Sequence, residues 1–227
     1  MIRTENLSKT ILKQGIEIPT LKNINLAVEQ SEFVAIYGPS GSGKSSLVNI
    51  LGMLDSPTSG LYWINETEVS RYNDQQRTRF RKSIIGYVFQ SFNLLEELTV
   101  FKNVELPLLY LGISDKVRNR MVNEALEKVN FPHLHQSWPA QLSNSQQQRV
   151  AIARAIVHSP TLLIADEPVG NLDSKGGSEI MEILTEVNNK GITLILATHS
   201  IAEAQKANRI IQLFDGEILS ENFRKAI

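Results

Sequence analysis

The residues with the clearest chemistry are Gly38, Pro39, Ser40, Gly41, Ser42, Gly43, Lys44 and Ser45, which fill the spacing G-x-x-x-x-G-K-[ST] at every fixed position. That pattern cradles the phosphates of a nucleoside triphosphate. Its glycines let the backbone turn tightly and come close to an anion, so that successive N–H groups and the positive end of the next helix face it. Lys44 is then placed to reach the outer phosphates and Ser45 to lend its hydroxyl to Mg²⁺, with Ser46 completing the binding stretch. Such a loop needs a strand entering and a helix leaving. Residues 32–37 (EFVAIY) have the composition of a buried strand, and Leu47, Ile50, Leu51 and Leu54 recur at helical spacing over 46–54.

A second group is the run Leu162, Leu163, Ile164, Ala165, Asp166, Glu167, four apolar residues leading into two acids. Beside a phosphate loop, an acid at a strand end holds Mg²⁺ through its water shell, and Asp166 has that place. Glu167, turned the other way by strand alternation, is expected to orient and polarise the attacking water. His199 directly follows the strand TLILAT, at the same sheet edge as Asp166, where a neutral imidazole can donate to a γ-phosphate oxygen and sense it. Gln90 ends the strand IIGYVF and can touch Mg²⁺ or water. His133, His135 and His158 are expected at the surface, and the pair His133 and His135 lacks a third metal ligand nearby.

These side chains must be held by a framework, and its outline can be read along the chain. Strands are expected at 2–7 and 21–28, a turn at 55–60, a strand at 61–64, and a polar helix to about 82, opened by a reciprocal cap between Asn73 and Gln76. From 91 to 158 the pattern is helical, with Val117, Met121, Ala125 and Val129 expected to share one face over 115–130. Strand 161–165, helix 174–189 and strand 192–197 follow, and strands alternating with helices imply a parallel sheet covered on both faces. The tail, 209–219, has the pattern of a strand pair turning at Asp215 and Gly216.

Composition narrows the function. With 23 Lys+Arg against 24 Asp+Glu the net charge is −1, so no basic field invites nucleic acid. The chain has no cysteine, which removes disulfides and thiolate metal sites and fits a reducing cytoplasm. No apolar run approaches the roughly 18 residues a membrane span requires, which predicts a soluble chain whose role at a membrane needs another polypeptide.

The phosphate loop, Gln90, the stretch Leu142, Ser143, Asn144, Ser145, Gln146 with QQRVAIARA after it, then Asp166-Glu167-Pro168, Asn171-Leu172-Asp173 and Thr198-His199 together resemble the nucleotide-binding subunit of an ABC transporter over essentially the whole chain. IGYVFQSFNLL and DEPVGNLD resemble the branch of lipoprotein-release, macrolide-export and cell-division ATPases. The resemblance implies one α/β domain over 1–227: a phosphate-loop ATPase core with parallel sheet and antiparallel β-layer (1–90 and 159–227), and an inserted helical subdomain carrying the signature (91–158). It implies a homodimer sandwiching two ATP molecules with Mg²⁺, each phosphate loop facing Ser143 and Gln146 of the other copy, with Asp173 at the subunit contact. It also implies a membrane permease as partner, met from the cytoplasm at the inner face of the membrane.

The chain departs from this family at two places. The signature is usually L-S-G-G-Q, and Asn144 and Ser145 stand where the glycines would, which predicts a hindered γ-phosphate contact that restoring glycine would relieve. Ile11 stands where an aromatic commonly stacks on adenine, so aliphatic packing is expected instead. A phosphate-loop kinase or GTPase would lack the signature helix, and a soluble ABC ATPase of repair or translation would carry a coiled coil or two tandem units. A nucleotide-gated clamp with little hydrolysis is the rival that Asn144 and Ser145 raise. No residue pattern names a transported substrate.

Overall fold

The computed structural model describes residues 1–131 and 135–223. In chain order the elements are β1 (Ile2–Lys13), β2 (Ile16–Val28), β3 (Phe33–Tyr37), α1 (Lys44–Leu51), β4 (Ser59–Ile64), β5 (Thr67–Glu68), α2 (Asp74–Ile84), β6 (Ile85–Val88), α3 (Val100–Tyr110), α4 (Asp115–Lys128), a 3-10 turn (Pro139–Gln141), α5 (Asn144–Ile156), β7 (Leu162–Asp166), α6 (Ser174–Asn189), β8 (Thr193–Thr198), α7 (Ile201–Ala204), β9 (Arg209–Phe214) and β10 (Glu217–Phe223). They form two compact units, Met1–Arg81 with Thr193–Ile227, and Lys82–Ile192.

The first unit holds an antiparallel layer in the order β2-β1-β4-β5. β1 and β2 run on into a long hairpin beyond the strand expected at 2–7, with Lys13 opposite Ile16. Gln14 and Gly15 both take positive φ, 52° and 82°, which suits the right-handed twist of a two-residue hairpin turn. In the same unit β3 pairs in parallel with β8 on one side and β9 on the other. β9 and β10 form the expected antiparallel pair about the turn at Asp215 and Gly216. Phe33, Val34, Ala35 and Ile36 of β3 are all buried, which is why this strand has no alternation and reads as one apolar run. α1 buries Leu47, Val48, Ile50 and Leu51 and stops at Gly52, short of the expected end at 54, because Met53 enters the left-handed region at φ 56°.

The reciprocal cap at α2 is present: Gln76 N–H donates to Asn73 Oδ1 at 3.0 Å and Asn73 N–H to Gln76 Oε1 at 2.9 Å. No residue of α2 is buried, so capping rather than core packing defines where this helix starts.

In the second unit β6 and β7 pair in parallel, Val88 opposite Ala165, and the helices α3, α4 and α5 pack on one another. α6 has the predicted limits and buries Ile180, Met181, Ile183, Leu184 and Val187 along one stripe. The face of α4 corrects the expectation: Val122, Ala125, Leu126 and Val129 are buried, whereas Val117 is exposed. The i, i+3, i+4, i+7 stripe of a 3.6-residue helix runs through Leu126, and the i+4 ladder from Val117 drifts off it.

His158 lies two residues beyond the end of α5, and its partial burial corrects the surface placement. Burial lowers its pKa from the ordinary value, opposed in part by the Ile85 backbone. The folded state therefore favours neutral imidazole: this stability is complete above the unfolded value of about 6.5 and is lost as pH falls from there through the lower folded value. His158→Gln should flatten the fall of Tm between pH 7 and 5; a parent and variant with parallel Tm profiles would contradict it.

Candidate functional site

Of the candidate residues, the phosphate loop, Ile11 and His199 belong to the first unit, and Gln90, Ser143, Gln146, Asp166 and Glu167 to the second. In the first, β3 leads into the loop and Gly43 sits at the N-cap of α1 with φ 102°. A Cβ at Gly43 would lie 2.5 Å from the Thr20 carbonyl oxygen, so the left-handed backbone and the close approach of β2 both demand glycine. The other wall is the turn after β9: Gly216 N–H donates to the Ser42 carbonyl at 3.0 Å, and Lys22 N–H to the Gly216 carbonyl at 2.8 Å. Lys22 is further tied to Asp215 at 2.8 Å. Thr20, Lys22 and Gly216 thus shape the phosphate loop. Motif reasoning missed them because no local pattern links residues almost two hundred positions apart.

Within the loop, Lys44 is 6% exposed, and its ammonium donates to the carbonyls of Gly38 at 2.9 Å and Pro39 at 3.0 Å. The Ser42 hydroxyl is buried with no hydrogen-bond partner among the described residues. A Cβ placed on Gly41 would meet nothing within 4 Å, so the mouth of the loop is open. A buried cation, an unpaired hydroxyl and an open concavity of backbone amides fit a polyphosphate.

His199 is brought to this loop. It is exposed one residue beyond Thr198, whose carbonyl accepts the Gly38 N–H at 3.3 Å. The turn that follows it is fixed by Thr198, whose hydroxyl donates to Glu203 at 2.6 Å and accepts the Ser200 N–H at 2.9 Å. Ile11 stands on the β1–β2 hairpin, paired with Ile18, and each is 38% exposed. Leu12 and Ile16, 74% and 66% exposed, extend this aliphatic surface.

In the second unit, Asp166 ends β7 and Glu167 follows it at φ 47°. The alternation expected for Glu167 does not apply, because the strand has ended and a left-handed residue re-aims the side chain. A non-glycine residue held there costs of the order of 1–3 kcal/mol, strain that concentrates at functional sites. Tyr87, which the sequence did not single out, has its phenol held protonated by burial and, secondarily, by the Asp166 carboxylate. Its ring stacks on Phe89, centroids 4.3 Å apart, just before Gln90.

Asp166, Ser45 and Gln90 offer hard oxygen donors of the kind Mg²⁺ takes. Among the described residues there is no cluster of three or more His, Cys, Asp or Glu able to hold a metal. His133 lies outside the described residues.

Ser143 caps α5 with a complete capping box: Gln146 N–H donates to the Ser143 hydroxyl at 3.3 Å, and Ser143 N–H to Gln146 Oε1 at 2.9 Å. Asn144 and Ser145 occupy the first turn of α5, and neither has positive φ. No left-handed backbone is needed there, so the conformational reason for glycine does not arise. Asn144 donates to the Asn171 carbonyl at 3.2 Å, and Ser145 packs beside Gly176, where an added Cβ would be 3.2 Å from its own. Asp173 caps α6 by accepting the Gly176 N–H at 2.7 Å.

The sequence model of the ABC transporter family matches residues 21–170. An ABC transporter ATP-binding protein of Bacillus subtilis, YvrO, is 44% identical over 96% of both chains. The macrolide export ATP-binding/permease protein MacB of Campylobacter jejuni is 45% identical over 97% of this chain, which spans about a third (34%) of that relative's length. Among solved structures, the dimeric bacterial ABC transporter cassette MJ0796 is 42% identical with a TM-score of 0.92, each chain covered completely. The same cassette in a post-hydrolysis dimer bound to ADP and Pi is 41% identical, again with a TM-score of 0.92 and complete coverage of both chains.

Proposed function

The chain belongs to the ABC transporter family as its ATP-binding cassette, an ATPase using ATP and Mg²⁺, and from that premise we propose that it works as a homodimer driving a separate membrane permease. The observation that carries the reading is the phosphate loop, with the Lys44 ammonium buried among its carbonyls and the Ser42 hydroxyl unpaired. Lys44 exchanges those carbonyls for the outer phosphates of ATP, and Gly38, Pro39, Ser40, Gly41, Ser42, Gly43 and Ser46 supply the surrounding cradle. Ser45, Asp166 and Gln90 would hold Mg²⁺, which would neutralise phosphate charge when bound. Glu167 takes the proton of the attacking water, and His199 donates to the γ-phosphate. Ser143 and Gln146 meet the nucleotide of the other copy at the positive end of α5, and Asp173 lies at the subunit contact. The aliphatic surface at Ile11 packs on adenine.

No helix among the described residues is long and apolar enough to cross a membrane. The proposed attachment to the cytoplasmic face of the membrane runs through the permease, and MacB, which joins ATP-binding and permease parts by name, is the precedent. The segment following Gln90 is the proposed docking surface. Leu95 is 46% exposed, and Phe92, Leu94 and Leu98 are half-buried. Val100, at the end of this segment, is fully buried and belongs to the core. The segment is tied down by buried Asn103, which donates to the carbonyls of Leu95, Leu98 and Thr99 and accepts the Leu95 N–H.

Leu95→Glu should abolish co-purification with the permease while ATP turnover of the isolated chain stays within about twofold, since a rim charge disrupts an apolar contact without touching the phosphate loop. An isolated parent chain without Mg²⁺-dependent turnover would overturn the ATPase role here. Retained permease on the variant would overturn the docking surface.

A further inference from the structure

Gln90 is held from two directions within its own unit. Its backbone carbonyl accepts the Asn171 side-chain N–H at 3.0 Å, and its side-chain amide lies flush over Gly170, where an added Cβ would be 2.7 Å from Nε2. The segment around Gly170 and Asn171 is itself anchored. Asn144 Nδ2 donates to the Asn171 carbonyl at 3.2 Å, and fully buried Gln148 donates to the carbonyls of Pro168 at 2.7 Å and Phe89 at 3.3 Å. On the far side of Gln90, Arg154 donates to the carbonyls of Phe92 at 2.8 Å and Asn93 at 2.5 Å, fastening two successive left-handed residues with φ 59° and 51°. Three residues of one helix, Asn144, Gln148 and Arg154, thus grip the loop that carries Gln90.

Gln148 works from a fully buried position and Arg154 from a half-buried one. Asn144 differs: it is exposed, occupies the first helical position, where its side chain is not required for the cap that Ser143 provides, and sits where L-S-G-G-Q has no side chain at all. We propose that Asn144 is a positioning residue for Gln90, acting through Asn171. The amide chain Asn144 to Asn171 to Gln90 joins the N-terminus of α5 to the Gln90 loop, so that displacement at one is felt at the other. The side chain that the sequence marked as an obstacle to phosphate is, in this arrangement, a tie within the chain. The proposal rests on the ATPase reading above, in which Gln90 touches Mg²⁺ or the attacking water.

The test is a double-mutant cycle on ATP turnover by the full chain. Asn144→Ala keeps a good helix former at the first turn and removes the amide; Asn171→Ala breaks the next link. Each should lower kcat about two- to tenfold, the worth of one hydrogen bond lost from a positioned group, with KM for MgATP within twofold. In a Gln90→Ala background neither should have a further effect, because there is nothing left to position. Gly170→Ala, which pushes on the Gln90 amide from beneath, should reproduce the kcat loss without a matching fall in Tm. Additive losses in the Gln90→Ala background, or losses that track Tm alone, would overturn the proposal while the parent's turnover leaves the ATPase reading standing. A parent without turnover would sink that reading and this inference with it.

Discussion

Lys44→Ala is expected to lower ATP affinity about a hundredfold or more. Removing the ammonium costs contacts to the outer phosphates, and charge-assisted hydrogen bonds contribute roughly 1.5–3 kcal/mol each, so the loss of two corresponds to about 10² to 10⁴ in affinity. The same ammonium now satisfies the Gly38 and Pro39 carbonyls, so the variant also leaves two acceptors of the loop without their donor. Its Tm should therefore drop modestly without nucleotide, and the stabilisation that ATP gives the parent should disappear. Isothermal titration and thermal melts with and without ATP measure both. ATP binding by Lys44→Ala within a few-fold of the parent would refute the phosphate-loop assignment.

Glu167→Gln should lower turnover by about 10² to 10⁴ with ATP binding unchanged, because general-base assistance is of that size and glutamine keeps the shape while losing the proton acceptor. With hydrolysis blocked, the ATP-bound dimer should accumulate in light scattering. Parent-like turnover in this variant would sink the role of Glu167. The left-handed backbone supplies a second, independent readout. Glutamine retains the strain at φ 47°, so Tm should hardly move, whereas Glu167→Gly relieves it and should raise Tm although it too is inactive. A more stable, inactive glycine variant would place the strain in the service of chemistry; a less stable one would show that the Glu167 side chain supports the fold.

What local sequence determined is what local interactions stabilise. The phosphate loop was legible because its glycines, Lys44 and Ser45 act within one turn of backbone, and the Asn73–Gln76 and Ser143–Gln146 caps because each closes over three residues. The limits of α6 were legible for the same reason, an Asp173 cap at one end and a single apolar stripe throughout. Elements whose geometry depends on distant partners were not. The face of α4 is chosen by what α3 and α5 press against it, and the hairpin beyond residue 7 by pairing across Gln14 and Gly15.

The same division runs through the site. Asp166 and Glu167 announce themselves as acids after an apolar strand, yet only the folded backbone turns Glu167 through a left-handed residue. Asn144 and Ser145 look from sequence like side chains in the path of a phosphate; packing directs them instead toward Asn171 and Gly176, some thirty residues away in the chain. The walls of the phosphate loop, Thr20 and Gly216, come from opposite ends of the molecule's sequence and meet only because β2 and the β9–β10 turn close on Ser42 and Gly43. Residue type thus decided which groups can do chemistry, since that is a property of the side chain itself. Their aim was decided by tertiary structure, since aim is set by hydrogen bonds and contacts between segments that no local pattern connects.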